Sequence, residues 1–163
     1  MRRKIIVVTM LCLLLMVSVA CADNSTVDEL EGLELSSLIH FHPQLENIVS
    51  MVVSEIDRSE NQVTVTIFND SEYELMTGEH FTVEVFDGEY WRNVPWNDPY
   101  IAFVDIGYAI YSDDSMDFTK NLTLVNPLAS GLYRIRKSVF RPIDRPIQDS
   151  DLHDVIAEFH WET

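Results

Sequence analysis

The sequence predicts an all-β protein built as an antiparallel sandwich of seven or eight short strands. Residues 63–67 and 81–85 both alternate between apolar and polar side chains, which is the period of a half-buried strand. Asp87 and Gly88 follow the second stretch and favour a tight hairpin, because both turn positions accept positive φ. Residues 47–163 contain no long run with helical spacing, so a two-sheet sandwich is the architecture that these strands favour.

The remaining strands are predicted from the same alternation and from the turn residues that bound them. Further strands are expected at Glu89–Val94, closed by Pro95, at Ile101–Tyr111, interrupted at Gly107, at Met116–Leu124, at Leu132–Phe140 and at Asp154–Trp161. A chain of this length without its leader has room for a two-layer core in a single domain, assigned to residues 47–163.

Residues 1–20 have the composition of an export signal. Arg2, Arg3 and Lys4 form a basic start, and an uncharged, mostly apolar run of residues follows up to Ala20. This run is shorter than the roughly 20 apolar residues of a spanning helix. The protein is therefore expected to act outside the cytoplasmic membrane.

Cys21 has two possible fates after export. Ser18 to Cys21 resembles the lipobox of bacterial lipoproteins, in which the cysteine becomes the acylated first residue, although that motif usually has an aliphatic residue in place of Ser18. Alternatively, cleavage after Ala22 satisfies the small-x-small rule of ordinary signal peptidase and removes Cys21. We favour the lipid anchor, because a rare residue falls where acylation needs it.

Residues 21–46 differ in composition from the rest of the chain and are interpreted as an acidic tether with a short, marginal helix. Thr26 and Glu29 fit a capping box, and Leu30, Leu33 and Leu38 recur at near-helical spacing. A lipid-anchored domain needs such a spacer to stand clear of the bilayer.

The charge of the chain excludes several partners. Without residues 1–20 the chain has 8 basic and 27 acidic residues, a formal charge of −19. Such a chain repels nucleic acid and anionic lipid headgroups. Five of the eight basic residues lie between Arg134 and Arg145, and this cluster is interpreted as a solvated strand face. Cys12 lies in the leader, so an internal disulfide is not expected.

Residues 49–140 resemble a bacterial immunoglobulin-like domain found in exported lipoproteins, chiefly of Gram-positive bacteria. The resemblance is carried by Val63–Asn69, Gly78-Glu79, Asp87–Pro95, Ala102–Tyr108 and Leu128–Lys137. It implies an immunoglobulin-like sandwich and an envelope setting, and it supplies no catalytic residues. Trp91 belongs to the hairpin of this pattern, which implies a place in the core.

Three aromatic residues are candidates for specific roles. Tyr133, two residues after Gly131 near the start of a late strand, is predicted to form a structural tyrosine corner, in which the phenol bonds to the backbone. Trp96 and Tyr100 are candidate ligand-binding aromatics, because exposed rings can stack on sugars. The competing interpretation is that large amphipathic residues simply pack in the sandwich.

No metal, cofactor or catalytic residue is expected. His40 and His42 could hold a metal with help from distant histidines, but zinc sites need three or four ligands, and a satisfied or solvated pair is preferred. The chain has none of the common nucleophile, metalloprotease or phosphate-loop motifs.

The sequence thus favours a non-enzymatic cell-envelope lipoprotein that displays one immunoglobulin-like domain. Its partners would be the membrane, through the N-terminal lipid, and an unidentified envelope or extracellular protein. The alternative is a secreted or anchored glycan- or small-ligand-binding module that uses Trp96 and Tyr100.

Overall fold

The computed structural model describes residue 30 and residues 32–125 and 128–163, and they form nine β-strands. The strands are β1 (Val49–Asp57), β2 (Gln62–Asn69), β3 (Leu75–Thr77), β4 (Thr82–Phe86), β5 (Trp91–Asn93), β6 (Tyr108–Ile110), β7 (Asp114–Asn121), β8 (Gly131–Phe140) and β9 (Leu152–Trp161). Single 3-10 turns cover Leu122–Leu124 and Asp149–Asp151.

The strands form two antiparallel sheets, which confirms the predicted sandwich. The first sheet has the order β1-β2-β7. In the second sheet β9 pairs with β8 over ten residues, and β3 and β4 lie end to end along the other edge of β8. On the side away from β8, β3 pairs with β6 and β4 pairs with β5.

The core lies between the inner faces of the two sheets. Val63, Val65 and Ile67 are fully buried on β2, as the alternation predicts. They belong to one cluster with the inward residues of the second sheet, among them Val83, Ile135 and Phe159. Burial of such side chains contributes about 25 cal/mol per Å² of apolar surface, which is the main stabilising contribution in a domain without disulfides.

Turn chemistry accounts for the β4–β5 hairpin. Gly88 has a φ of 105°, a conformation that L side chains rarely adopt, and the Asp87 carboxylate accepts hydrogen bonds from the backbone N–H groups of Glu89 and Tyr90. These bonds and the nearby Arg92 guanidinium lower the pKa of Asp87 to about 2. The hairpin is therefore held at its turn as well as by strand pairing.

Two predicted strands are shorter in the structure. Only Tyr108–Ile110 of the expected strand at 101–111 pairs with a neighbour, and residues 101–107 form no regular secondary structure. At the end of β7, Leu122–Leu124 turn into a 3-10 helix, because the Asn121 side chain caps it by accepting a hydrogen bond from the N–H of Thr123.

The signal segment 1–20, Cys21 and the capping box at Thr26 and Glu29 lie outside the described residues.

Candidate interaction surface

Residues 33–42, which we call the strap, cross the outer face of the second sheet from one edge to the other. At the β5 edge, the N–H of Ser36 donates to the carbonyl of Trp91 (3.0 Å) and the N–H of Asn93 donates to the carbonyl of Glu34 (2.9 Å). At the β9 edge, the N–H of Asp154 donates to the carbonyl of His40 (2.9 Å). The strap belongs to the segment 21–46 that the sequence predicts to be an acidic tether, and in the structure it lies on the domain, because both sheet edges bind its backbone.

A group of buried charges lies beneath the middle of the strap. The Glu84 carboxylate is fully buried between Arg134, which forms an ion pair with it through Nε, and Arg136, whose Nη2 is 3.2 Å away. The Ser36 hydroxyl donates to Glu84 Oε1 at 2.7 Å. Arg136 donates to the Ser37 carbonyl and hydroxyl. The strap thus supplies hydrogen bonds that satisfy these ions where water cannot reach them.

The same network continues to the β9 end of the strap. Asp154 Oδ2 accepts the N–H of His40 at 2.8 Å and lies 3.1 Å from His40 Nδ1. Its second oxygen accepts the Ser138 hydroxyl at 2.5 Å. The strap is consequently attached at both ends and in the middle, and this makes its course over the sheet well defined.

The burial of these charges corrects the interpretation of the basic cluster between Arg134 and Arg145. Arg134 and Arg136 alternate on the outer face of β8 as a strand predicts, but each is only 8% exposed, with Arg136 bonded to Ser37 of the strap and Arg134 paired with the buried Glu84. The Arg134 guanidinium also lies 4.2 Å from the centre of the Trp91 ring, which covers its other side.

The strap directs Ser36 and His40 toward the sheet and leaves most of its large apolar side chains exposed. Four large apolar residues face solvent on it: Leu35 is 59% exposed, Leu38 90%, Ile39 46% and Phe41 54%. This is the reverse of the usual arrangement, and it follows from the ions beneath, which require polar contacts. Exposed apolar side chains on a backbone that hydrogen bonds hold in place are typical of a surface that another molecule covers.

The predicted ligand-binding aromatics lie on the long segment between β5 and β6. Trp96 is partly buried and packs edge-to-face on Phe81 and Phe103, with ring centroids 5.1 and 5.3 Å apart. Tyr100 is 90% exposed, and its backbone N–H donates to the Asp98 carboxylate. The structure thus gives Trp96 a packing role in this segment and leaves the Tyr100 ring available to solvent.

Tyr133 lies on the inner face of β8 and is 3% exposed. Its hydroxyl donates to the carbonyl of Ala129 at 2.8 Å, and burial raises its pKa to about 12. The phenol therefore holds the chain that enters β8 against the core.

Lys137, which the sequence interpretation also placed on a solvated face, lies on the inner side of β8 with 1% exposure. Its Nζ donates to the carbonyls of Gly78 (2.6 Å) and His80 (3.1 Å). Burial lowers the pKa of Lys137 to about 7. Beside it, Lys120 pairs with Glu79 at 2.8 Å, and this hydrogen bond lowers the pKa of that carboxyl.

The two histidines of the strap differ in their contacts, because the buried Nδ1 of His42 has no hydrogen-bond partner among the described residues. His40 contacts Asp154, and the backbone N–H of His42 donates to His153 Nδ1 at 3.2 Å. Across the described ranges, no group of three or more histidine, cysteine, aspartate or glutamate side chains has the arrangement of a metal site.

Comparison with known proteins identifies the family. A family model described as a bacterial Ig-like domain matches residues 45–160. Domains of this family are generally non-catalytic and typically extracellular. No curated protein is significantly similar to the chain.

Among solved structures, the chain is similar to the X-ray structure of Northeast Structural Genomics Consortium target SoR45. That protein is 15% identical, with a TM-score of 0.37, and the match covers 71% of this chain and 83% of that one. Within the part of the chain that the structure describes, no helix is long and apolar enough to cross a membrane.

Proposed function

Because the chain belongs to the bacterial Ig-like domain family, we propose that it is a non-enzymatic envelope lipoprotein whose single domain holds a protein partner outside the cytoplasmic membrane. The export signal at residues 1–20 and the position of Cys21 support an anchored, exported protein. The family supports an interaction module in preference to an enzyme.

The observation that carries the proposal is the outward apolar face of the strap. Leu35, Leu38 and Phe41 are each more than half exposed on a backbone that polar bonds fix to the sheet. A partner that covers these side chains gains the free energy of apolar burial and loses little conformational entropy in ordering them.

The experiment is crosslinking and pulldown from the envelope with the full-length chain and two variants. Leu38→Asp places a charge on the exposed strap, whereas Val52→Asp places one on β1, where Val52 is 46% exposed on the opposite sheet. We expect Leu38→Asp to lose the captured protein and Val52→Asp to retain it. Capture that both variants retain equally would place the partner elsewhere.

The anchor is tested separately by mass spectrometry of the mature N-terminus from membrane and medium fractions. We expect an acylated Cys21 in the membrane fraction and release of Cys21→Ser into the medium. A mature protein that begins after Ala22 would contradict the anchor but leave the interaction proposal intact.

The exposed Tyr100 ring favours a second candidate function, the binding of glycans by stacking. Glycan-array binding that is lost in Tyr100→Ala and retained in Tyr111→Ala would support it, because Tyr111 is also exposed (61%). Equal binding by both variants and the natural protein would exclude Tyr100 as the stacking residue.

A further inference from the structure

Residues 101–107 lead into β6 at the free edge of the second sheet without forming a helix, turn or bend, and we call residues 101–110 the edge segment. β6 ends the strand order of this sheet, pairing with β3 on one side. Two contacts position the residues before β6: a Cβ built on Gly78 would lie 3.8 Å from the Ile106 carbonyl oxygen, and the Phe103 ring packs on His80 at 5.1 Å. The segment therefore runs beside the chain that links β3 to β4.

The backbone of the edge segment has unused hydrogen-bonding capacity. Within the described residues, the N–H and C=O groups of residues 102–106 make no hydrogen bond to protein. Backbone groups of this kind on an extended edge are a template for an added strand.

The ends of the edge segment are fixed. At one end the Asn69 side chain donates to the carbonyls of Ile110 and Tyr111, at 2.9 and 3.0 Å. At the other end, Phe103 packs against Phe81 and Trp96. Because these anchors position the backbone before any partner binds, the entropy lost on pairing is reduced.

The exposed side chains indicate the chemistry of the partner. Val104 and Ile106 are 61% and 50% exposed, and they alternate with the exposed carboxylate of Asp105. Asp98 and Asp113, also exposed, lie at either side of the segment in the sequence. A second copy of this chain would bring Asp105 and the surrounding acids against like charges, so the acidity favours a basic partner.

We propose that the edge segment accepts an extended peptide as an added β-strand, and that this peptide alternates apolar with lysine or arginine side chains. The proposal rests on the proposed function as an interaction module and identifies a second contact on it, distinct from the strap. Main-chain hydrogen bonds supply the affinity, and the apolar and acidic side chains select the sequence.

The test uses a short synthetic peptide in which valine and lysine alternate, and the full-length protein. We expect binding by calorimetry, with slowed hydrogen exchange at the amides of residues 102–106. Two control peptides carry the same charge but are N-methylated at every second residue, one in each of the two registers. At least one should bind about tenfold or more weakly, because N-methylation removes the hydrogen bonds of one peptide edge. If both bind as tightly as the parent, charge alone holds the peptide and the proposal is wrong.

A charge reversal locates the contact. Asp105→Lys should weaken the lysine peptide several-fold and strengthen a valine–glutamate peptide, whereas Asp144→Lys, in the exposed link between β8 and β9, should change neither. Equal effects of the two variants would contradict binding at the edge segment. Unchanged thermal unfolding of both variants verifies that they are folded.

The two proposals fail separately. Loss of envelope capture by Leu38→Asp with no binding of the peptide would reject the added strand and keep the strap as the interaction surface. Peptide binding without envelope capture would support the added strand and reject the strap as the interaction surface.

Discussion

The polar and charged side chains on the two outer faces of this sandwich have different surroundings. The first sheet carries hydroxyl side chains on its outer face, with Thr64 and Thr119 in contact at 3.0 Å and the buried Thr66 hydroxyl donating to the exposed Asp117 carboxylate at 2.6 Å. The second sheet carries Glu84, Arg134 and Arg136 under the strap. On the first face the acceptor Asp117 is exposed to solvent, and on the second face the strap covers Glu84 and bonds to it through Ser36.

This difference explains why large apolar side chains of the strap are exposed to solvent. A segment that covers buried ions must direct its polar groups toward them, so its apolar side chains are left on the solvent side. A surface for a partner can thus arise as a consequence of how the domain satisfies its own charges.

The largest expected difference between the two faces concerns their carboxylates. Glu84→Gln removes a fully buried negative charge and leaves two arginines without it, so we expect the free energy of unfolding to fall by about 3–5 kcal/mol. Asp117→Asn alters the exposed carboxylate of the first face and should cost less than about 0.5 kcal/mol. Urea denaturation of the two variants measures the contrast, and equal losses would show that the strap does not isolate Glu84 from water.

A pH titration tests whether the charged form of Lys137, on the inner side of the second sheet, destabilises the folded protein. The pKa of Lys137 is about 7 in the folded protein, against an ordinary 10.5, so the unfolded chain binds more protons between these values. The contribution of Lys137 to stability therefore rises with pH above 7, by at most about 1.4 kcal/mol per pH unit, and is constant below. Lys137→Met should lack this rise.

The measurement is the free energy of unfolding of both proteins by urea at several values between about pH 7 and pH 9, below the titration of the tyrosines. Identical slopes for the two proteins would mean that the buried amine keeps its ordinary pKa.

A smaller difference is expected for the two hydroxyls that donate to these carboxylates. Ser36→Ala removes the bond to Glu84 and should cost about 1–2 kcal/mol, because the acceptor is buried. Thr66→Val removes the corresponding bond to the exposed Asp117, whose oxygen then binds water, and should cost about 0.5 kcal/mol or less. Urea denaturation midpoints, converted with one shared m-value, give the two losses of unfolding free energy. A larger loss for Thr66→Val than for Ser36→Ala would contradict the prediction.

A last substitution calibrates the comparison with a hydrogen bond that belongs to neither outer face. Tyr133→Phe removes the hydrogen bond to the Ala129 carbonyl and should cost about 1 kcal/mol, with the packing on Phe159 preserved. The shift in thermal midpoint measures it. A loss as large as that of Glu84→Gln would indicate that the Tyr133 hydroxyl stabilises the domain by more than one hydrogen bond.

The strands could be predicted from the sequence because their pattern is local. Val63, Val65 and Ile67 alternate with threonines, and burial on one face is the direct result. The turn at Gly88 is equally local, since it depends on the conformational range of one residue.

The candidate surface could not be predicted in this way, because it depends on contacts between residues far apart in the chain. Arg134 and Arg136 have the alternation of an exposed strand face, and nothing nearby in the sequence indicates that Ser36 and Ser37 cover them. Leu38 follows Leu33 at near-helical spacing, but it lies in no helix, and the backbone on either side of it bonds to β5 and β9. Tertiary hydrogen bonds outweigh a weak local preference there.

The course of the strap has a mechanical consequence. A force that pulls on the N-terminal chain reaches the domain first at the β5 end of the strap. Its bonds to the sheet follow one another from Ser36 through Ser37 to His40, so such a force would load them in sequence and not together. The strap would peel before any paired strand bears the load, and Glu84 with its arginines would then meet water while the sandwich itself stays folded.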